Sequence, residues 1–172
     1  MYDMPEEIRV EADGPIRIIT LNRPDNLNAV NDALHTGLAR LWGRLSEDYD
    51  ARAAVITGAG RAFSSGADLR AGFDPTPEGH PDVQTVLHER YHPIIVGIRR
   101  MPKPVLAAVN VPAVGIGCSL ALACDLIIAR ESAYFLLAFV NIGLVPDGGS
   151  SLFLPTRIGM ARATELSMLG AW

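Results

Sequence analysis

Three turns contain the residues whose types and spacing could support catalysis: Gly58 to Leu69 (GAGRAFSSGADL), Ala113 to Ala121 (AVGIGCSLA) and Ile142 to Ser151 (IGLVPDGGSS). Glycine-rich turns between a strand and a helix expose backbone N–H groups, and the helix N-terminus adds a favourable dipole. If the first two turns converge on one carbonyl oxygen, they form an oxyanion hole. The alternative is that their glycines only permit tight turns.

Two other uses of these glycines are disfavoured by the residues around them. A dinucleotide-binding turn needs a third glycine, but Phe63 and Leu120 occupy that position in the first and second turns. The second turn also resembles a nucleophile elbow around Ser119. In that class of hydrolase the catalytic histidine follows the serine, whereas all four histidines of this chain precede Ser119.

Asp147 is the candidate ionisable group of the third turn. It follows Pro146 and precedes small residues that can begin a helix. One interpretation is that Asp147 caps this helix, because aspartate is a common N-cap. The other is that Asp147 is a general base, since the apolar neighbours Leu144, Val145 and Phe153 would raise its basicity.

The surrounding pattern predicts an α/β fold with a mostly parallel sheet, in which ligands bind where strands end and helices begin. Asn31 is a predicted N-cap, and four leucines follow it at helical spacing. The pattern predicts a second helix with a kink at Pro93. It also predicts helices that begin near Gly117, near Asp147 and after Gly159. The predicted strands are Ile8 to Val10, Ile16 to Leu21, Ala53 to Thr57, Val105 to Val109 and Leu126 to Ala129.

Composition excludes several classes of protein. The chain has 172 residues, is 49% hydrophobic and 20% charged, and carries a formal net charge of -4, which predicts a single globular domain over residues 1–172. No run of Lys or Arg would contact nucleic acid. The uncharged run from Val105 to Cys124 is long enough for a membrane span. Because Asn110, Pro112 and Gly115 interrupt it, it predicts instead a strand, a turn and a helix.

The cysteines and the N-terminus indicate where the protein is found. Cys118 and Cys124 have no metal-type spacing, and residues 1–8 lack the apolar core of a signal peptide. These features predict a cytoplasmic protein without a metal site.

In combination, the motifs resemble the enoyl-CoA hydratase/isomerase (crotonase) superfamily. The resemblance covers residues 21–170 in the order of the family, which makes it more specific than any one motif. The matching stretches are Leu21 to Pro24, Asn28 to Ala29, Ile56 to Gly58, Arg61 to Leu69, Pro102 to Val105, Ala107 to Asn110, Ala123 to Asp125 and Ile142 to Pro146.

The resemblance implies a right-handed spiral of ββα turns, assembled as a homotrimer or hexamer. It also implies an acyl-CoA substrate, with no cofactor beyond the coenzyme A moiety. The chain stops at Trp172, before the C-terminal helices of family members, so the C-terminal helical part is expected to be absent. The implied coenzyme A residues are Leu27, Ala29, Ala67, Asp68, Leu69 and Arg70.

The implied oxyanion-hole donors are the backbone N–H groups of Ala67 and Ile116. Family members usually have glycine where this chain has Ile116, whose side chain adds bulk beside the thioester. The two glutamates of the hydratases match Ser119 and Phe139, neither of which is a general base. Adding water needs groups that orient and deprotonate it, so a standard hydratase is disfavoured.

Asp147 instead matches the carboxylate of a subset of the superfamily. This subset includes the ring-epoxide isomerases of phenylacetyl-CoA breakdown and some 3-enoyl-CoA isomerases, and it predicts a 1,3-proton shift by one base. The alternatives are an enoyl-CoA hydratase, an aryl-CoA dehalogenase with Asp147 as nucleophile, and a catalytically silent CoA-binding paralogue. The dehalogenases typically add a tryptophan beside the ring, for which Phe139 is a partial match.

Overall fold

The computed structural model describes residues 2–72 and 75–170. Its main sheet has five strands: β1 (Ile8–Asp13), β2 (Ile16–Leu21), β3 (Ala53–Gly58), β4 (Val105–Val109) and β6 (Leu126–Ala129). They lie in the order β1-β2-β3-β4-β6; β1 is antiparallel to β2, and the other neighbours are parallel. The predicted parallel sheet is confirmed. The short strands β5 (Ala113–Val114) and β7 (Phe135–Leu136) form a second, parallel pair.

Helices connect the parallel strands. The α-helices are α1 (Asp32–Glu47), α2 (Val83–Val86), α3 (His92–Arg99), α4 (Ile116–Ala123), α5 (Ser150–Ile158) and α6 (Met160–Leu169). A π-helix (Leu87–Tyr91) joins α2 to α3, and short 3-10 helices cover Pro24–Asn26, Leu69–Ala71 and Ala138–Ile142.

Helix α1 forms for the reasons that its sequence indicates. The Asn31 side chain accepts a hydrogen bond from the Leu34 N–H at 3.0 Å, which satisfies one of the free donors of the first turn. The leucines at helical spacing are completely buried: Leu34, Leu38, Leu41 and Leu45. The second helix is interrupted one turn earlier than predicted. Its irregular turn is the π-helix Leu87–Tyr91, and Pro93 lies in the first turn of α3.

The uncharged run from Val105 to Cys124 folds as predicted into a strand, a turn and a helix. It contains β4, β5 and α4, and α4 is buried on every side. Among the helices of residues 2–72 and 75–170, none has the length and apolar character of a membrane span.

The first two turns lie side by side because their strands do. β3 and β4 are neighbouring parallel strands in which Thr57 pairs with Ala108. The carboxyl ends of the two strands therefore share one edge of the sheet, where such folds bind ligands.

Asn28 joins the segment after β2 to the first turn. Its side chain is completely buried, and Nδ2 donates to the carbonyl oxygens of Ala59 at 2.9 Å and Ala62 at 2.8 Å. Oδ1 accepts from the Arg23 N–H at 2.8 Å, and the Asn28 carbonyl oxygen accepts from Ser64 Oγ at 2.9 Å. Its φ of 54° lies in the left-handed region, which asparagine tolerates better than most residues.

Asn28→Ala is expected to lower the free energy of unfolding by at least about 3 kcal/mol. The change removes three side-chain hydrogen bonds and leaves the Ala59 carbonyl oxygen without a donor among the described residues, while the Ala62 carbonyl oxygen keeps only the 3.4 Å bond from Asn110 Nδ2. Urea denaturation measures the effect. The control is Asn26→Ala, because the partly exposed Asn26 side chain makes no hydrogen bond with the described residues and should change stability by less than about 0.5 kcal/mol. Equal urea midpoints for the two variants would show that the Asn28 side chain does not stabilise the fold.

Candidate active site

A cavity of about 140 Å³ lies where the three turns meet. It contains all three residues predicted for catalysis, Ala67, Ile116 and Asp147, although they come from turns far apart in the chain. Most of its lining is apolar. The lining residues are Ser65, Gly66, Ala67, Leu69, Val83, Val86, Leu87, Tyr91, Val114, Gly115, Ile116, Ala138, Phe139, Asn141, Ile142, Leu144 and Asp147.

Glycines bring the first two turns into direct contact. A Cβ at Gly66, whose φ is +96°, would lie 2.9 Å from the Val114 carbonyl oxygen, and a Cβ at Gly117 would lie 2.6 Å from the Ser64 Cβ. The Val114 N–H donates to the Ser64 carbonyl oxygen at 2.9 Å and fixes the register of the two turns. Any side chain at either glycine would push the turns apart, so the glycines do more than allow each turn to be tight.

The backbone N–H groups of Ala67 and Ile116 are available as donors. Neither donates a hydrogen bond to any residue in the described ranges. Ile116 is the first residue of α4, where backbone N–H groups have no acceptor within the helix. Gly115, with φ 52° and ψ −125°, turns the chain into the helix at this point. Two free N–H groups at one cavity are what an oxyanion hole requires.

Asp147 is a half-buried residue whose carboxyl group has one fully enclosed oxygen atom, Oδ1. Its Oδ1 has no hydrogen-bond partner among the described residues, and burial raises its pKa to about 6. Asp147 does not cap α5: the residue before that helix is Gly149, and no side chain caps the helix. The capping interpretation is therefore wrong. A carboxyl group with a raised pKa in a cavity is typical of a general acid or base.

Ser119 holds the turn that carries Asp147. The serine is completely buried, and its Oγ donates to the Asp147 carbonyl oxygen at 2.9 Å. Ser150 Oγ donates to the same oxygen at 2.7 Å. Ser119 and Phe139 are the residues that the family resemblance matches to the hydratase glutamates; Ser119 does not line the cavity, whereas Phe139 does. The sequence offered no sign of this anchoring, because Ser119 and Asp147 are 28 residues apart.

Tyr91 is a lining residue that sequence reasoning missed. It ends the π-helix, is 8% exposed and lies on the wall shared by this cavity and the next. Burial, and then the charge of Asp147, raise the pKa of the Tyr91 phenol to about 12, so the phenol stays protonated at neutral pH. The only signal in the sequence was its place just before the helix-disrupting Pro93; π-helical turns often occur at functional sites.

A neighbouring cavity of about 500 Å³ is lined by four of the predicted coenzyme A residues, Ala67, Asp68, Leu69 and Arg70. Leu27 and Ala29 line neither cavity. Instead, the Leu27 carbonyl oxygen accepts from the Ser65 N–H at 2.9 Å, and the Ala29 carbonyl oxygen accepts from the Arg23 guanidinium. Leu27 therefore contacts the first turn directly, and Ala29 is linked to it through Arg23, which also donates to Asp68.

Asp68 is held between two guanidinium groups. Hydrogen bonds from Arg70, and then from Arg23, lower the pKa of the Asp68 carboxyl well below its usual range. Asp68 therefore stays ionised next to the cavity, and its partners fix the chain beyond Ala67.

Comparison with known proteins identifies the family. Residues 11–172 match the family model described as enoyl-CoA hydratase/isomerase. The chain is 46% identical over 161 residues to a probable enoyl-CoA hydratase of Rhodobacter capsulatus, covering 94% of this chain and 60% of that protein. It is 40% identical over 168 residues to the 1,2-epoxyphenylacetyl-CoA isomerase of Escherichia coli, covering 97% of this chain and 64% of that protein.

A solved structure shows the same fold. The enoyl-CoA hydratase/isomerase of Mycobacterium paratuberculosis superimposes with a TM-score of 0.84 at 46% identity, covering 99% of this chain and 68% of that one. The chain therefore belongs to the enoyl-CoA hydratase/isomerase family and has its α/β crotonase fold. Its length is less than two thirds of that of the two relatives above.

Proposed function

We propose that the protein acts on an acyl-CoA thioester and isomerises a 3-enoyl-CoA to the conjugated 2-enoyl-CoA by a 1,3-proton shift. The observation that carries this proposal is the Asp147 carboxyl group, whose enclosed Oδ1 has no hydrogen-bond partner among the described residues. It lies in the same apolar cavity as the Ala67 and Ile116 N–H groups, which are free within those residues.

Proton removal is the first step. The thioester carbonyl oxygen accepts hydrogen bonds from the N–H groups of Ala67 and Ile116, and this polarisation acidifies the C2–H bond. The Asp147 carboxylate takes the C2 proton. The electron pair of the C2–H bond forms a double bond between C1 and C2, and the π pair of the carbonyl moves to its oxygen to give an enolate. The two hydrogen bonds strengthen as the negative charge develops; in other enzymes one such donor is worth about 10²–10³-fold in rate.

Proton return is the second step. The Asp147 carboxyl group gives the proton to C4, the carbonyl re-forms, and the double bond moves to lie between C2 and C3. One residue therefore acts first as base and then as acid, and no atom is gained or lost. Its raised pKa suits both roles, because proton transfer is efficient when the pKa of the catalytic group lies near the working pH.

Water addition, as in an enoyl-CoA hydratase, is less well supported. Among the described lining residues Asp147 is the single carboxyl group, and the other titratable side chain, Tyr91, is protonated at neutral pH. Ser119 faces the Asp147 backbone rather than the cavity. No second carboxyl group of the described lining is available to deprotonate a water molecule together with Asp147, which favours a reaction that needs one base.

The direct test is turnover of a 3-enoyl-CoA, followed by the ultraviolet absorbance of the conjugated product. A rate well above that of buffer supports the proposal. Formation of a 3-hydroxyacyl-CoA would favour the hydratase, and a covalent adduct with an aryl-CoA, detected by mass spectrometry, would favour the dehalogenase. Folded protein that binds an acyl-CoA but changes none of these substrates would be the silent paralogue.

The pH dependence of this activity tests the state of Asp147. We expect kcat/KM to rise as pH increases through about 6 and to level off above about pH 7, because only the ionised carboxyl group removes the C2 proton. Initial rates between about pH 5 and 8 measure this, with circular dichroism at each pH as the control for folding. A profile that is flat over this range would contradict the role of Asp147 as the base.

A further inference from the structure

Ile116 and Gly148 form a direct contact between the second and third turns. The Ile116 side chain is 4% exposed, and its Cδ1 occupies the space beside the Gly148 Cα: a Cβ at Gly148 would lie 2.5 Å from it. Gly148 has a φ of +56° and directly follows Asp147. Ile116, whose backbone N–H group is free within the described residues, thus packs its side chain against the third turn, which carries Asp147.

Ile116 is part of the wall of the cavity, and Gly148 lies behind it, outside the lining. Ile116, Phe139 and Leu144 line the cavity, and Phe139 is as buried as Ile116. The volume of about 140 Å³ is close to that of an apolar cavity of about 150 Å³ that takes up one benzene molecule. The space beside Asp147 therefore matches an acyl group about as large as one six-membered ring, and an isoleucine fills space that a smaller residue would leave open.

We propose that Ile116 and Gly148 are a complementary pair that determines specificity for compact acyl groups, about the size of a six-membered ring, over extended chains. The proposal rests on the proposed function in taking an acyl-CoA as the ligand. It adds that Ile116 has two separate roles: its backbone N–H binds the thioester oxygen, and its side chain, accommodated by the missing Cβ of Gly148, limits the acyl group.

Binding of two saturated thioesters, cyclohexylacetyl-CoA and dodecanoyl-CoA, tests the pair without requiring turnover. In calorimetric titrations the parent protein is expected to bind cyclohexylacetyl-CoA more tightly. Ile116→Ala removes three carbon atoms from the wall and should shift the ratio of the two Kd values at least about 10-fold towards dodecanoyl-CoA, since one methylene group in such a pocket is worth about 10-fold or more. Ile116→Val should shift the ratio less, in the same direction.

Ile98→Ala is the matched control. Ile98 is 3% exposed and does not line either cavity described above, so the same loss of carbon atoms should lower stability and leave the Kd ratio within about twofold. Gly148→Ala should weaken binding of both thioesters, because its Cβ would clash with Ile116 Cδ1 and, at 2.8 Å, with Ser119 Cβ.

An unchanged ratio in both folded Ile116 variants would overturn the proposal. If the parent protein has no isomerase activity but the Ile116 variants shift the Kd ratio as expected, the proposed function is overturned and this inference stands. If the parent protein bound neither thioester, both would fail.

Discussion

Asp147→Asn is expected to lower kcat for the isomerisation by at least about 10³-fold, with binding of a saturated acyl-CoA kept within about threefold. The amide is similar in size to the carboxyl group but cannot accept the C2 proton. The N–H groups of Ala67 and Ile116 are untouched, so the thioester still binds. Spectrophotometric turnover and calorimetric titration on the same preparation separate the two effects.

The same substitution should stabilise the protein at neutral pH. Burial raises the pKa of Asp147 to about 6 from an ordinary value near 3.8, so the folded state binds this proton more tightly than the unfolded state does. The parent protein therefore loses stability as pH rises from about 4 to above 6, a loss that the asparagine variant lacks. Its Tm should exceed that of the parent at about pH 8 and match it at about pH 4.

Asp25→Asn is the control, because Asp25 is exposed and lies outside both cavities. It should change neither turnover nor Tm appreciably. An Asp147→Asn variant with more than about a tenth of the parent kcat would show that another group removes the proton.

Gly117→Ala is the second change with a large expected effect. We expect kcat to fall about 10²–10³-fold, which is the loss that other enzymes show when one oxyanion-hole donor is removed. The new Cβ would lie 2.6 Å from Ser64 Cβ, 2.7 Å from its Oγ and 2.8 Å from its carbonyl oxygen. Ser64 is completely buried and cannot yield without moving the first turn. Because the two turns carry the N–H groups of Ala67 and Ile116, separating them breaks the geometry that a single carbonyl oxygen needs.

Gly43→Ala is a suitable control for this glycine. Gly43 lies in the middle of α1, and a Cβ there would meet nothing within 4 Å. It should raise the free energy of unfolding by about 0.5–1 kcal/mol and leave kcat unchanged. Circular dichroism establishes that Gly117→Ala is folded under assay conditions. A folded Gly117→Ala variant with the parent kcat would mean that the contact between the turns does not set the donor geometry.

Local sequence determined most of the secondary structure. The Asn31 cap and the leucine spacing of α1 depend on residues three or four positions apart, so they could be predicted without tertiary contacts. Local sequence also predicted that the run from Val105 to Cys124 is a strand, a turn and a helix rather than a membrane span, because proline and glycine interrupt it. Ala67, Ile116 and Asp147 were identified by the family motifs, and they share one cavity. Assembly as a homotrimer or hexamer stays a prediction.

Only the tertiary structure showed where the Asp147 carboxyl group lies. Sequence allowed either a helix cap or a base, since both place an aspartate before small residues. The chain passes through two left-handed glycines, Gly148 and Gly149, before α5 begins, and this carries the carboxyl group away from the helix and into the cavity. There it meets groups from distant segments: Tyr91 on the wall, Ser119 at its backbone and Ile116 against Gly148. Local patterns do not encode such contacts, because they form only when neighbouring parallel strands bring remote turns to one edge of the sheet.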